Sequence, residues 1–248
     1  MKLLDLSLDT PEENLALDEA LLLHAEAHCP GPSGRNSLCA SEVLRFWESR
    51  TYFVVLGAGG KVNEDVHLAN CLRDNIPILR RDSGGGTVLQ GPGCLNYTLV
   101  LDLAHRPMCA DITGTNRYVV ERLCAALSSR WPAIEWRGTS DLALAGRKIS
   151  GTAQRRKKRH ILFHGTLLYC FDFRLVERYV QHPAKEPDYR KKRPHIDFLA
   201  NLDATADELR SLIAAAWQAA EPITTVPTEL VLELVEKKYA QRSWNFRF

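Results

Sequence analysis

The chain has almost no excess of charge: 32 lysines and arginines stand against 30 acidic residues, a formal net charge of +2 over 248 residues. Without a global field, nothing in the composition calls for a nucleic acid or a membrane surface, so any electrostatic message must be local. The seven cysteines (29, 39, 71, 94, 109, 124 and 170) form an odd set without C-x-x-C spacing, which fits a reducing compartment. The eight histidines show neither H-E-x-x-H nor paired Cys/His spacing, so no protein-only metal site is expected. Long apolar runs are missing too; the stretch Ile161–Phe171 is too short and too interrupted to span a bilayer. Met1-Lys2-Leu3-Leu4-Asp5 lacks the apolar core of a signal peptide, and a soluble cytoplasmic protein is expected. Two phosphate signatures are also absent, G-x-x-x-x-G-K-[ST] and a helix-opening G-x-G-x-x-G. Ser83 and Ser150 have no histidine and acid in the local arrangement of a hydrolase elbow, which argues against a serine nucleophile.

What is present suffices for a sizeable core: 45% of residues are hydrophobic. Thr10-Pro11-Glu12-Glu13 has the form of a capping box and predicts a helix over Pro11–His28. Cys29–Ser41, rich in Pro, Gly and Ser, reads as a surface loop. Strands are predicted near Lys2–Leu6 and at Val43–Trp47, Tyr52–Leu56, Pro77–Leu79, Asn96–Leu101, Ile134–Trp136, Leu142–Ala145, Lys148–Gln154 and Leu162–Tyr169. Helices are predicted at Glu64–Asp74, Thr115–Arg130, Asp207–Ala220 and Thr228–Gln241, with Thr205 or Asp207 and Thr228 as caps. Groups of adjacent strands separated by helices favour an α+β fold over a doubly wound repeat.

Two glycine-bearing basic segments could carry chemistry. In Arg80-Arg81-Asp82-Ser83-Gly84-Gly85-Gly86-Thr87-Val88, glycines let backbone N–H groups approach an anion while the arginines neutralise it. The bland alternative is a glycine-rich turn with solvated arginines. In Gly146-Arg147-Lys148-Ile149-Ser150-Gly151, a tight turn at Ala145-Gly146 puts Lys148 at the start of a returning strand, a rigid mount for a point charge, or else an exposed hairpin lysine. The run Arg155-Arg156-Lys157-Lys158-Arg159 falls at a hairpin tip and reads as a solvated loop, a nucleic-acid patch or a dock for an acidic protein.

Together with Gly138-Thr139-Ser140-Asp141-Leu142 and His164-Gly165-Thr166-Leu167-Leu168, these segments resemble, in order and spacing, the lipoate-protein ligase family over roughly Leu3–Leu202. The resemblance implies a biotin/lipoate ligase catalytic-domain fold, a mixed, mainly antiparallel sheet flanked by helices and similar to class II synthetase cores. It implies activation of lipoate or octanoate with ATP and Mg²⁺ to an acyl-adenylate, then transfer to a lysine of a lipoyl-domain protein. By motif, Arg81, Ser83, Gly84, Gly85, Gly86, Thr87, Val88 and Leu89 would contact the nucleotide or adenylate. Lys148 would be catalytic, Gly151, His164 and Gly165 would line the substrate site, and Asp141 would contact metal or the acceptor lysine. The Arg155–Arg159 loop would steer an acidic acceptor.

The sequence departs from the ligase pattern after the glycine loop. Gln90-Gly91-Pro92-Gly93-Cys94 resembles the octanoyltransferase branch, which works through a cysteine thioester, yet Ala133 stands near the expected nucleophile position and Cys94 is the one cysteine close to the pocket. A ligase is therefore the leading expectation. An octanoyl- or lipoyl-transferase, and a non-catalytic adenylate- or partner-binding module, are the alternatives. A single catalytic domain over 1–248 is expected, with a helical segment at about 203–248 and without the family's accessory domain, which calls for either a separate accessory subunit or a preformed acyl-adenylate.

Overall fold

A computed structural model of the chain describes residues 1–28 and 42–248, so the loop expected over Cys29–Ser41 lies outside the described residues. The first helix, α1 (Pro11–His28), begins at the predicted capping box: Thr10 N donates to Glu13 Oε2 at 2.9 Å and Glu13 N donates to Thr10 Oγ1 at 3.2 Å. No described helix is long and apolar enough to cross a membrane.

The strands are β1 (Lys2–Asp5), β2 (Val43–Trp47), β3 (Phe53–Leu56), β4 (Ile78–Arg80), β5 (Val88–Gln90), β6 (Cys94–Asp102), β7 (Ile134–Arg137), β8 (Asp141–Leu144), β9 (Arg147–Ser150), β10 (Thr152–Arg156), β11 (His160–Leu168) and β12 (Glu221–Pro222). They build a six-stranded mixed sheet, β10-β11-β6-β2-β1-β12, and two three-stranded sheets, β4-β3-β5 and β7-β8-β9. The remaining helices are α2 (Val62–Asp65), α3 (Leu68–Arg73), α4 (Ile112–Ser128), α5 (Phe173–Tyr179), α6 (His195–Phe198), α7 (Ala206–Trp217), α8 (Thr228–Leu234) and α9 (Arg242–Asn245). This is the α+β architecture expected.

Alternation along the central strands sorts the core. Leu44 and Phe46 of β2, Leu95, Leu99 and Leu101 of β6, and Ile161 and Phe163 of β11 pack with Val119, Leu123 and Leu127 of α4 and Ile213 and Trp217 of α7. On the opposite face, Val43, Trp47, Val100 and Leu162 meet Leu17, Ala20 and Leu21 of α1. Each such aliphatic or aromatic side chain contributes roughly 1.5–3 kcal/mol by leaving water.

Three predicted elements come out differently. The helix expected over Glu64–Asp74 is two short helices, because Val66 is extended (φ −128°, ψ 137°) and bridges to Val180. The strand expected over Lys148–Gln154 breaks at Gly151, sending β9 to a small sheet and β10 to the large one. The helix expected over Thr228–Gln241 is α-helical to Leu234, continues as a π turn (Val235–Tyr239), and starts without a side-chain cap from Thr228.

Candidate functional site

Residues of the glycine loop follow β4 and precede β5. Arg80 and Arg81 do not point into solvent. Arg80, fully buried, donates to the carbonyls of Gly57 (3.0 Å), Gly60 (2.6 Å), Trp244 (3.1 Å) and Asn245 (3.0 Å). Arg81 donates to Ser83 Oγ at 3.1 Å and to the carbonyls of Gly84 (2.6 Å) and Gly86 (2.8 Å), moulding the loop from within. Burial alone pulls the Arg81 pKa down to about 10, so the group is cationic at neutral pH, and among the described residues no carboxylate pairs with it. A buried cation lying under an exposed Gly84–Gly86 backbone leaves that surface electropositive. Gly85 has φ +90°, and a Cβ there would come within 2.9 Å of Arg81 Nη2.

The loop is fastened to the large sheet by a polar row. Arg45, Thr98 and His164 are successive cross-strand partners on β2, β6 and β11, and all face α1. Asp18 of α1 lies over them: Arg45 Nη1 donates to Oδ1 at 2.6 Å, Thr98 Oγ1 donates to Oδ2 at 2.9 Å, and His164 Nδ1 is 3.4 Å from Oδ2. Burial works against the Asp18 charge, but Arg45, His164 and Thr98 outweigh it and hold the carboxyl below its ordinary value. Nε2 of His164 is 2.6 Å from Ser83 Oγ. The histidine and acid that sequence proximity denied to Ser83 thus arrive from β11 and α1. Ser83 Oγ is nevertheless buried and already takes a hydrogen bond from Arg81, so the constellation anchors the loop.

Lys148 lies on β9, its carbonyl accepting from Ala200 N at 2.9 Å, as a hairpin mount predicts. The turn before it has Ala145 at φ 50° and Gly146 at φ 72°, the two left-handed residues of a tight hairpin. Its Nζ is 2.7 Å from Asp141 Oδ1, and Tyr189 donates its hydroxyl to Asp141 Oδ2 at 2.8 Å. Burial and the carboxylate both push the Tyr189 phenol upward, keeping it a donor. Gly151 abuts Lys148, with its Cβ direction 3.0 Å from Lys148 Nζ, while Gly85 stands 3.9 Å from the Thr152 carbonyl by the same measure. Glycine loop and lysine therefore flank the same Gly151–Thr152 step. A Cβ on Gly165 would run into Tyr97 Oη and the Gly151 carbonyl, so the absence of a side chain there lets both approach β11.

Other expected residues lie at the edges. Thr87 donates its hydroxyl to Asp65 at 3.0 Å, Val88 pairs with Val55 in the small sheet, and Leu89 is buried in the core. Of the basic run, Arg155 pairs with Asp82 at 2.8 Å, and Arg156 donates to the carbonyls of Cys109 and Ala110, both at 2.8 Å. Lys157, Lys158 and Arg159 form the hairpin tip, where Arg159 N donates to Glu26. Cys94 is fully buried and its thiol is pushed up to about 12, by burial first and the Glu48 charge second. Residues the sequence did not single out are Asp18, Tyr189 and Lys238, whose Nζ meets Glu19 and Asp82, each at 2.8 Å. Asp18 had a signal, a carboxylate inside the apolar stripe of α1; the other two are brought in by the fold.

A family model described as the lipoyl protein ligase A/B catalytic domain matches residues 10–220. The chain is 27% identical over 216 residues to the probable lipoate-protein ligase A of Mycoplasma pneumoniae, covering 84% of this chain and 62% of that protein. It is also 27% identical over 274 residues to octanoyltransferase LipM of Geobacillus kaustophilus, covering 96% and 94%. A solved lipoate-protein ligase A bound with ATP superposes with TM-score 0.80 at 23% identity over 99% of each chain. The bipartite lipoate protein ligase of Thermoplasma acidophilum, solved with its E2 lipoyl domain, gives 0.77 at 25% identity over 99% and 96%.

Proposed function

Because the chain belongs to the lipoyl protein ligase A/B catalytic domain family and is an enzyme of its ligase/octanoyltransferase class, we propose that it is a lipoate-protein ligase. It activates lipoate or octanoate with ATP and passes the acyl group to a lysine of a lipoyl-domain protein. The observation that carries this reading is the buried Arg81 cation, without a carboxylate partner among the described residues, beneath the exposed glycine loop that flanks the Gly151–Thr152 step with Lys148. An anion there supplies the missing counter-charge, and a phosphate offers several acceptors to the Gly84–Gly86 backbone.

In the first half-reaction a substrate carboxylate oxygen bonds to the α-phosphorus and pyrophosphate leaves with its electron pair. Lys148, held by Asp141, neutralises negative charge developing on the phosphate and acyl oxygens. In the second, the neutral acceptor amine attacks the acyl carbonyl, AMP departs with the electron pair of the C–O bond, and the amine proton passes to solvent. Preorganised donors of this kind contribute about 10²–10³ in kcat. Magnesium would enter bound to the nucleotide phosphates, its charge offsetting theirs.

A thioester route is the second reading, favoured by Gly91-Pro92-Gly93 and by the relatives named octanoyltransferases. The high Cys94 pKa counts against that residue as its nucleophile, since almost no thiolate exists near pH 7. Incubation with lipoate, ATP, Mg²⁺ and hydroxylamine should yield the hydroxamate, with Lys148→Ala reducing its rate by about 10²–10³. Hydroxamate formation that needs no ATP, or that survives Lys148→Ala unchanged, contradicts the proposal.

A further inference from the structure

Besides the basic hairpin, the described residues form a second basic surface near the site, at residues 183–194. Residues 183–194 hold five basic residues (Lys185, Arg190, Lys191, Lys192, Arg193) against two acidic ones (Glu186, Asp188). Their roles divide by side chain. The arginines turn inward: Arg193 Nη2 donates to the carbonyls of Gly146 and Tyr189, both at 2.9 Å, and Arg190 and Arg193 lie over the Phe198 ring at 4.8 and 5.3 Å. The lysines turn outward, Lys185, Lys191 and Lys192 all being exposed. Lys191 and Lys192 stand consecutively in the left-handed region, at φ 53° and 58°, a conformation costing about 1–2 kcal/mol for each non-glycine residue. Lys192 N, bonded to Glu186 Oε1 at 2.8 Å, and the arginine ties hold that geometry. The strap also touches the surroundings of Lys148 twice, through Tyr189 on Asp141, the partner of Lys148, and through Arg193 on Gly146, in the turn of the hairpin that carries Lys148. By contrast, Arg155 and Arg156 of the other run are engaged with Asp82 and backbone carbonyls.

We propose that the 183–194 strap, through Lys185, Lys191 and Lys192, is the docking surface for the acidic face of the protein that presents the acceptor lysine. The inference rests on the ligase reading for what the partner is and on geometry for where it binds. An acidic face set on these lysines brings a neighbouring acceptor lysine over Asp141 and Lys148, and charge complementarity there raises the encounter rate and its dependence on salt.

The test is binding of a purified, unmodified lipoyl domain by titration calorimetry at two salt concentrations. The variants are Lys185→Gln/Lys191→Asn/Lys192→Asn, asparagine being tolerated in the left-handed region, and Lys157→Gln/Lys158→Gln as the comparison. Neutralising the strap should weaken binding about tenfold and flatten its salt dependence, with the hairpin variant changing affinity less than about twofold. ATP-dependent hydroxamate formation should stay at the unmutated rate in both, which also reports folding. Unchanged affinity in the strap variant, a larger loss in the hairpin variant, or no binding of the lipoyl domain by the unmutated chain overturns the proposal. Binding as expected without ATP-dependent hydroxamate leaves the docking surface standing and removes the ligase chemistry.

Discussion

Asp18 meets Arg45, Thr98 and His164 at once, the first two at 2.6 and 2.9 Å and the third at 3.4 Å, because three strands present those side chains in register to one face of α1. Asp18→Asn leaves the Arg45 guanidinium buried without its counter-charge, so chemical denaturation at neutral pH should show a loss of about 3–5 kcal/mol. The lowered Asp18 pKa fixes a sign as well. Its stabilisation is complete above the unfolded carboxyl value near 4 and is lost as pH falls through the lower folded value, so the acid limb of the unmutated stability profile should be steeper than that of the variant. On the proposed ligase reading, Tyr189 acts on Lys148 through Asp141. Tyr189→Phe removes one hydrogen bond to Asp141, worth about 1.5 kcal/mol for a charged acceptor, and kcat should fall roughly tenfold while KM for ATP holds; an unchanged kcat denies it a positioning role. Neither residue was evident from motif spacing. Asp18 could be suspected as a charge in an apolar stripe, whereas Tyr189 lies in a stretch whose sequence says only that it is basic.

The glycine loop was legible as a turn between two strands, but the part played by its arginines was not. Composition suggests that Arg80 and Arg81 face a ligand; folding turns both inward onto carbonyls, because loops and the C-terminal segment leave backbone acceptors that only a multi-donor side chain can satisfy. Gly85→Ala should therefore be costly out of proportion to one methyl group. Its φ of +90° and the contact with Arg81 Nη2 displace the loop, and nucleotide affinity should drop at least about tenfold while the melting temperature shifts only a few degrees. Equal ATP affinity in Gly85→Ala and the unmutated chain contradicts a phosphate role for that backbone. Strand and helix positions were readable where a start signal or an apolar run marked them, as with the capping box of α1 and the apolar runs of β2, β6 and β11. The breaks at Val66 and Gly151 were not, since both are set by partners distant in sequence, Val180 for the first and the division between two sheets for the second.

At the scale of the molecule, three sheets converge on one short step of chain. Ser83 joins the glycine loop to β11, Gly151 and Thr152 join the two sheets that carry Lys148 and the basic hairpin, and Lys238 ties the C-terminal segment to α1 and Asp82. That convergence puts a lysine and an electropositive loop side by side, the arrangement on which the ligase proposal rests. The donor of the acyl group is the claim on which the rest depends. The deciding measurement is the intact mass of a lipoyl domain after incubation with the unmutated protein, once with free lipoate or octanoate plus ATP and Mg²⁺, and once with octanoyl acyl carrier protein without ATP. A mass gain of one acyl group in the first mixture and none in the second is the expected result; a gain in the second mixture alone would contradict it.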